Sequence, residues 1–228
     1  MPSLFYAAFG DSTLRVRAPE WGGTLRSDLQ LSSAEASGFR SGPSWDKCCR
    51  EQPELAAAIA GSDTALVIQG PVTLHESLDY LRETIELLSY LLEGGAIGVH
   101  DLFAQAWWSP QAWDEMATHG GIFNPFDHVS LLASPEPNGR FWLHTRGMRK
   151  FGRPDLSVRG VAEDQRDAVQ KMIDRFINYQ ALGGVIEPGR PVAMSGLQDV
   201  YRPGPVSGNP EDPDFHNLHI EISRSGPG

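Results

Sequence analysis

Six apolar residues, Leu74, Leu78, Leu81, Ile85, Leu88 and Leu92, recur at spacings of 4, 3, 4, 3 and 4. That is the period of one helix face packed on a sheet. The pattern predicts a helix over 74–93, closed by Gly94 and Gly95. A β-branched apolar run, "DTALVIQG", precedes it and "AIGVHD" follows. The unit reads strand, helix, strand, with the two strands able to run parallel through a right-handed crossover. A second long helix is predicted over 163–181. Val169, Met172, Ile173, Phe176 and Ile177 mark its buried face, and Glu163 and Asp164 sit at its positive end.

Elsewhere the period is two. "HVSLLASPEPNGRFWLHTRG" reads as a hairpin closed by a Pro and Asn-Gly loop. On its second arm Arg140, Trp142, His144 and Arg146 share one face, and Phe141, Leu143 and Thr145 the other. "PDLSVRGV" and "HNLHIEIS" are further strands, as are "SLFYAAF", "TLRVRA" and "TLRSDLQL" near the N-terminus. Residues 32–52 are polar and turn-rich. Short helices are expected in "PELAAAIAGS" and "SPQAWDEMATHGG", each with a proline at its start and a glycine stop. These elements imply an α+β fold in a single domain over 1–228, a mixed, mostly antiparallel sheet with two long amphipathic helices packed on it. N-terminal strands occupy 1–60, and a proline- and glycine-rich loop with a last strand occupies 203–224.

Composition narrows the setting. The chain has 228 residues, 40% of them hydrophobic, enough to bury a core. No apolar run approaches the ~18 residues of a membrane-spanning helix. "MPSLFYAAFGDSTLRVR" lacks the basic start and apolar length of a signal peptide, so a cytoplasmic location is expected. The two cysteines, Cys48 and Cys49, are adjacent, which disfavours a disulfide between them, and both are expected as reduced thiols. A formal charge of −10 argues against sequence-independent nucleic-acid binding, whose affinity comes mostly from phosphate contacts. Sixteen arginines stand against three lysines, a bias that suits planar recognition of carboxylate or phosphate and that genome composition also produces.

The dinucleotide, P-loop and nucleophile-elbow glycine motifs are absent. Four clusters carry candidate chemistry, one of them the Cys48-Cys49 pair beside Trp45, Asp46 and Lys47, which reads as packing since no general base lies nearby. In "RFWLHTRGMRKFGRPDLSVRGV", Arg146, Lys150 and Arg153 either ring a small anion or lie as solvated stems over aromatic rings, while Gly147, Gly152 and Pro154 shape tight turns. His216, His219 and Glu221 offer the ligand types of zinc or iron, or simply flank an edge strand. His100 and Asp101 end a predicted strand, where open sheets place ligand sites, and His144 is a further candidate for proton transfer. Trp107, Trp108 and Trp113 follow closely, as a pocket for a ligand or partner side chain or as a satellite core.

The order of a buried strand, a Leu-striped helix, an "AIGVH" strand and "SPQAW" resembles a family of uncharacterised bacterial proteins, domain of unknown function 4261. Thr145, Gly147, Phe151, Gly152, Pro154 and Asp155 in "HTRGMRKFGRPDLSV" match its Thr-x-Gly and Phe-Gly-x-Pro-Asp/Glu signature, and the resemblance spans roughly residues 60–200. It implies a compact α+β bacterial cytoplasmic domain, and a place beside toxin or secretion genes would imply an immunity role. It supplies no catalytic residues.

Two functions follow as expectations. One is a partner-binding domain of immunity or regulatory type, whose acidity speeds encounter with a basic partner. The other is an enzyme acting on a small anionic substrate held by Arg146, Lys150 and Arg153. His100 or His144 would move protons there, and a metal at His216, His219 and Glu221 is a variant of this reading.

Overall fold

A computed structural model of the chain describes residues 3–11, 13–14, 29–71, 77–117, 123–209, 211 and 215–225. Most of "TLRVRA", the first part of "TLRSDLQL" and Leu74 lie outside the described residues. The fold is α+β, as expected, but its strands form two five-stranded sheets rather than one. The chain divides into two compact units, residues 1–123 and 124–228, where the sequence pattern suggested one domain.

The first unit contains β1 (Ser3–Gly10), β2 (Gln30–Glu35), α1 (Gly42–Glu51), α2 (Pro53–Ala60) and β3 (Thr64–Pro71), then α3 (Asp79–Glu93), β4 (Gly98–Asp101), β5 (Ala106–Trp108) and α4 (Pro110–Ala117). Its sheet runs β2-β3-β1-β4-β5, with every neighbouring pair antiparallel. Since β3 and β4 both oppose β1, they are parallel to each other, as the strand-helix-strand pattern predicts. β1 is inserted between them, so Tyr6, Ala7, Ala8 and Phe9 are buried on both faces. On one face Ala7, Phe9, Ala65 and Trp107 pack against Leu55, Ala56 and Ile59 of α2 and Cys48 of α1. Gly98 lets α2 approach: a Cβ there would stand 2.8 Å from Leu55 Cδ1 and 3.0 Å from the Trp108 carbonyl. On the other face α3 lies against β1 with Leu81, Ile85, Leu88 and Leu92 buried. α1 departs from the turn-rich reading of residues 32–52. Cys48 is its only buried residue, so its polar sequence carries little periodic signal.

The second unit contains β6 (Ser130–Glu136), β7 (Arg140–Arg146), β8 (Asp155–Val161), α5 (Arg166–Ala181), β9 (Val200–Asn209) and β10 (Asn217–Ser225). Its sheet runs β6-β7-β8-β10-β9, antiparallel except for the β8–β10 pair. The β6–β7 hairpin closes through Asn138 and Gly139, both at positive φ (66° and 68°). β9 corrects the expected loop. Prolines are tolerated there because β9 is an edge strand. Pro205 falls where the register with β10 shifts between Ile220 and Ile222, so its missing N–H interrupts no regular ladder. α5 packs on β8 with Val169, Met172, Ile173 and Ile177 buried. Phe176, expected in that stripe, is only half-buried. Among the described residues no helix is long and apolar enough to cross a membrane.

Candidate functional site

The most distinctive chemistry lies on one face of the second sheet. The pleat of β7 places Trp142, His144 and Arg146 on a common face, as the sequence pattern predicts, and turns Leu143 and Thr145 into the interior. Phe215 stands among them. Its ring lies 5.8 Å from Trp142, 6.0 Å from His144 and 4.4 Å from His219, with the His219 ring stacked on it. Arg146 sits over the Phe215 ring at 4.7 Å and Arg159 over the Trp142 ring at 4.0 Å. Both are cation–π contacts. Burial first, then the positive charges of Arg146 and Arg159, pull the His144 pKa down to about 4. The imidazole is therefore neutral at pH 7.

Polar atoms on this face are incompletely satisfied. His144 Nε2 lies 3.3 Å from Ser134 Oγ, and His219 Nε2 lies 3.3 Å from Ser207 Oγ. The opposite nitrogens, His144 Nδ1 and His219 Nδ1, are buried without a protein partner among the described residues, and so is Trp142 Nε1. Buried polar groups are normally hydrogen-bonded, so three orphans around one phenyl ring single this face out as a candidate site.

Behind this face the turn from β7 to β8 is held by a buried carboxylate. Gly147 (φ 114°) and Gly152 (φ 65°) take the left-handed conformation on either side of the 3-10 turn Met148–Phe151. Asp155 Oδ1 accepts from Thr145 Oγ1 at 2.8 Å and from the Met148 amide at 3.3 Å, and its Oδ2 accepts from Asn217 Nδ2 at 2.8 Å. Thr145 Oγ1 in turn accepts from the Leu156 amide at 2.8 Å. Burial pushes the Asp155 pKa up to about 6, against the pull of these donors and of Arg146. Thr145, Gly147, Gly152 and Asp155 are thus the frame that fixes the end of β7.

The proposed ring of cations around an anion takes a different form. Lys150 is fully buried, and its charge acts on His128, whose pKa is pulled down to about 3, mainly by burial. Arg153 donates through Nε to the Gln180 carbonyl at the end of α5, and Arg149 donates to the His216 carbonyl. Of the three residues expected to hold an anion, only Arg146 stands at the aromatic face. Arg159 joins it there, and the sequence pattern gave it no role. The signal for Arg159 was the β7–β8 hairpin itself, which brings the two strands side by side.

The histidine-aspartate pair of the first unit is also divided. His100 stacks on Trp107 at 3.9 Å and meets Ser44 Oγ through Nε2 at 3.2 Å, while Asp101 accepts from the Ala104 amide and acts on Tyr6. Successive residues of a strand point to opposite faces, so His100 and Asp101 do not act on one group. Burial pulls the His100 pKa down to about 3. Ser44 accepts from Trp107 Nε1 at 2.8 Å and lies 3.2 Å from the Gln105 carbonyl, so it is a clamp between α1 and β5 that the sequence did not mark. The tryptophans do not line one pocket either. Trp107 packs with α1 and α2, whereas Trp108 and Trp113 meet each other edge on. Trp113 also donates to Ser89 of α3 and meets Tyr6, which places it in the core on the other face.

His219 and Glu221 point to the same side of β10 and His216 is exposed, but among the described residues no three His, Cys, Asp or Glu side chains converge as a metal set. Cys48 and Cys49 are free thiols. The charge is unevenly divided: residues 1–123 carry 7 Lys and Arg against 16 Asp and Glu, and residues 124–228 carry 12 against 13. The first unit is therefore −9 and the second −1, so the arginine face belongs to a nearly neutral unit. Comparison with family models, curated proteins and solved structures finds no match.

Proposed function

We propose that this is a cytoplasmic binding protein of immunity or regulatory type, whose second unit grips an acidic side chain of a partner protein. The observation that supports this reading is the trio of unpartnered ring nitrogens, Trp142 Nε1, His144 Nδ1 and His219 Nδ1, gathered with Arg146 around Phe215. Each histidine meets a serine hydroxyl through Nε2, and the indole nitrogen of Trp142 is a donor only. Arg159 is already paired with Glu136 at 2.8 Å, so Arg146 with the indole N–H of Trp142 favours a ligand made of acceptors, and a carboxylate meets that need with charge-assisted bonds. The first unit's negative charge speeds encounter with a partner that also has a basic surface.

The enzyme reading has weaker support. A general acid or base works best with a pKa near the working pH, and His100 and His144 are held at about 3 and 4. The test is affinity capture from the source cells with wild type, Arg146→Gln and Arg159→Gln. A stoichiometric partner held by wild type and lost by both variants is expected. Equal capture by all three, or repeated recovery of the bait alone, contradicts the proposal.

A further inference from the structure

α5 ends in a Schellman motif that builds one wall of a second site. Gly183 takes φ 98° and its amide donates to the Gln180 carbonyl, while the Gly184 amide donates to the Tyr179 carbonyl at 2.8 Å. Gly184 lies so close to the Tyr179 ring that a Cβ would stand 2.5 Å from it. The phenol also donates to the Val185 carbonyl at 3.3 Å, so the ring is fixed in place. The chain then crosses to the edge of the second sheet. Val192 pairs with Tyr201, the Gly189 amide donates to the Pro203 carbonyl at 2.7 Å, and Arg202 donates to the Gly189 carbonyl at 2.8 Å.

Between α5 and this pinned segment lies a cleft of about 440 Å³, within the range of small-molecule sites. Met172, Phe176, Ile186, Val192 and Met194 give it apolar walls. Tyr179, Leu182 and Val185 are 52%, 74% and 66% exposed around this end of α5, more large apolar surface than one short stretch usually leaves in water. Two cations line the cleft. Arg190 pairs with Glu187 at 3.2 Å. Arg175 has neither an ion pair nor a hydrogen bond among the described residues.

We infer that this cleft binds an amphipathic monocarboxylate, an acyl or aryl acid whose apolar body fills the walls and whose carboxylate meets Arg175. Arg175 is exposed, and an exposed guanidinium with no protein partner among the described residues, set beside apolar walls, matches one anionic group on an apolar ligand. The planar fork of arginine suits a carboxylate in particular. Nothing in this site depends on the Phe215 face, so either can fail without the other.

Octanoate is the probe, titrated into the full chain and followed by amide chemical shifts, with octan-1-ol and octylammonium as controls. Saturable shifts along 172–194 are expected. Arg175→Gln should weaken octanoate about tenfold and leave octan-1-ol unchanged, and Ala193→Trp, at an exposed lining position, should block both. Native amide spectra of both variants establish that they fold. Absence of saturable octanoate binding overturns the inference. So does octylammonium binding as tightly as octanoate, or undiminished binding in either variant.

Discussion

Replacing Thr145 by valine tests the frame behind the aromatic face. The two side chains have nearly the same shape, so the change removes the hydroxyl and little else. Thr145 is 0% exposed, and its hydroxyl donates to Asp155 and accepts from the Leu156 amide, both at 2.8 Å. A hydrogen bond to a charged group contributes about 1.5–3 kcal/mol, and an orphaned buried donor costs about 1–3 kcal/mol. Leu156 is itself fully buried, so water does not reach its amide without rearrangement. After allowing about 0.8 kcal/mol for the added apolar carbon, the expected loss is about 3 kcal/mol. With a urea slope of about 2 kcal/mol/M, the midpoint of the second unit should fall by about 1.5 M. The assay is urea titration at pH 8 followed by the amide signals of residues 124–228, with exchange of the Leu156 amide as a local readout. At pH 5, below the Asp155 pKa of about 6, the lost bond is to a neutral carboxyl and the deficit should shrink. A loss under about 1 kcal/mol at pH 8, or a larger deficit at pH 5, refutes the assignment of Asp155 as the buried acceptor that holds this turn.

Three further outcomes follow. His128 and His144 have folded pKa values of about 3 and 4, below the ordinary imidazole value, so the folded second unit binds fewer protons than the unfolded chain. Its stability should therefore be full above about pH 6.5 and fall as pH drops towards 4, by about 1.4 kcal/mol per pH unit for each histidine. Asp155 acts in the opposite sense. Its folded pKa is raised to about 6, so its protonation favours the folded state as pH falls from about 6 to 4. Asp155→Asn should steepen the acid loss in that window, and an unchanged slope in urea titrations at pH 5 contradicts this. In the first unit, Gly98→Ala should cost about 1–3 kcal/mol, because one of its clashes is with the Trp108 backbone carbonyl, which does not swing aside. Thermal denaturation measures it, and an unchanged midpoint refutes the close approach of α2.

What the sequence made legible was local. Alternation in "RFWLHTR" placed Trp142, His144 and Arg146 on one face, and the glycines at 147 and 152 marked the turn, because a pleat and a positive φ are properties of neighbouring residues. The β8–β10 pairing was not legible, since it joins strands about sixty residues apart and no local period encodes which strands meet. The division into two sheets was hidden for the same reason. β9 was obscured by Pro203 and Pro205, whose tolerance depends on an edge position that topology alone decides. Lys150 looked like a surface cation because charge in a turn is usually solvated, and its burial comes from packing of the Met148–Phe151 turn and α5. The separation of His100 from Asp101 was available from strand alternation. The role of Phe215 was not, as it reaches His144 and Trp142 across the sheet.

The carboxylate site proposed at the Phe215 face is tested most directly through Trp142. Trp142 is the single tryptophan of residues 124–228, so its indole N–H, identified among the six of the chain by its loss in Trp142→Phe, reports on this face. Titration with N-acetylglutamate amide, a mimic of an acidic side chain, should move that signal saturably in the wild type and much less in Arg146→Gln. A signal that stays still up to high millimolar probe, or that moves equally in the variant, contradicts the account.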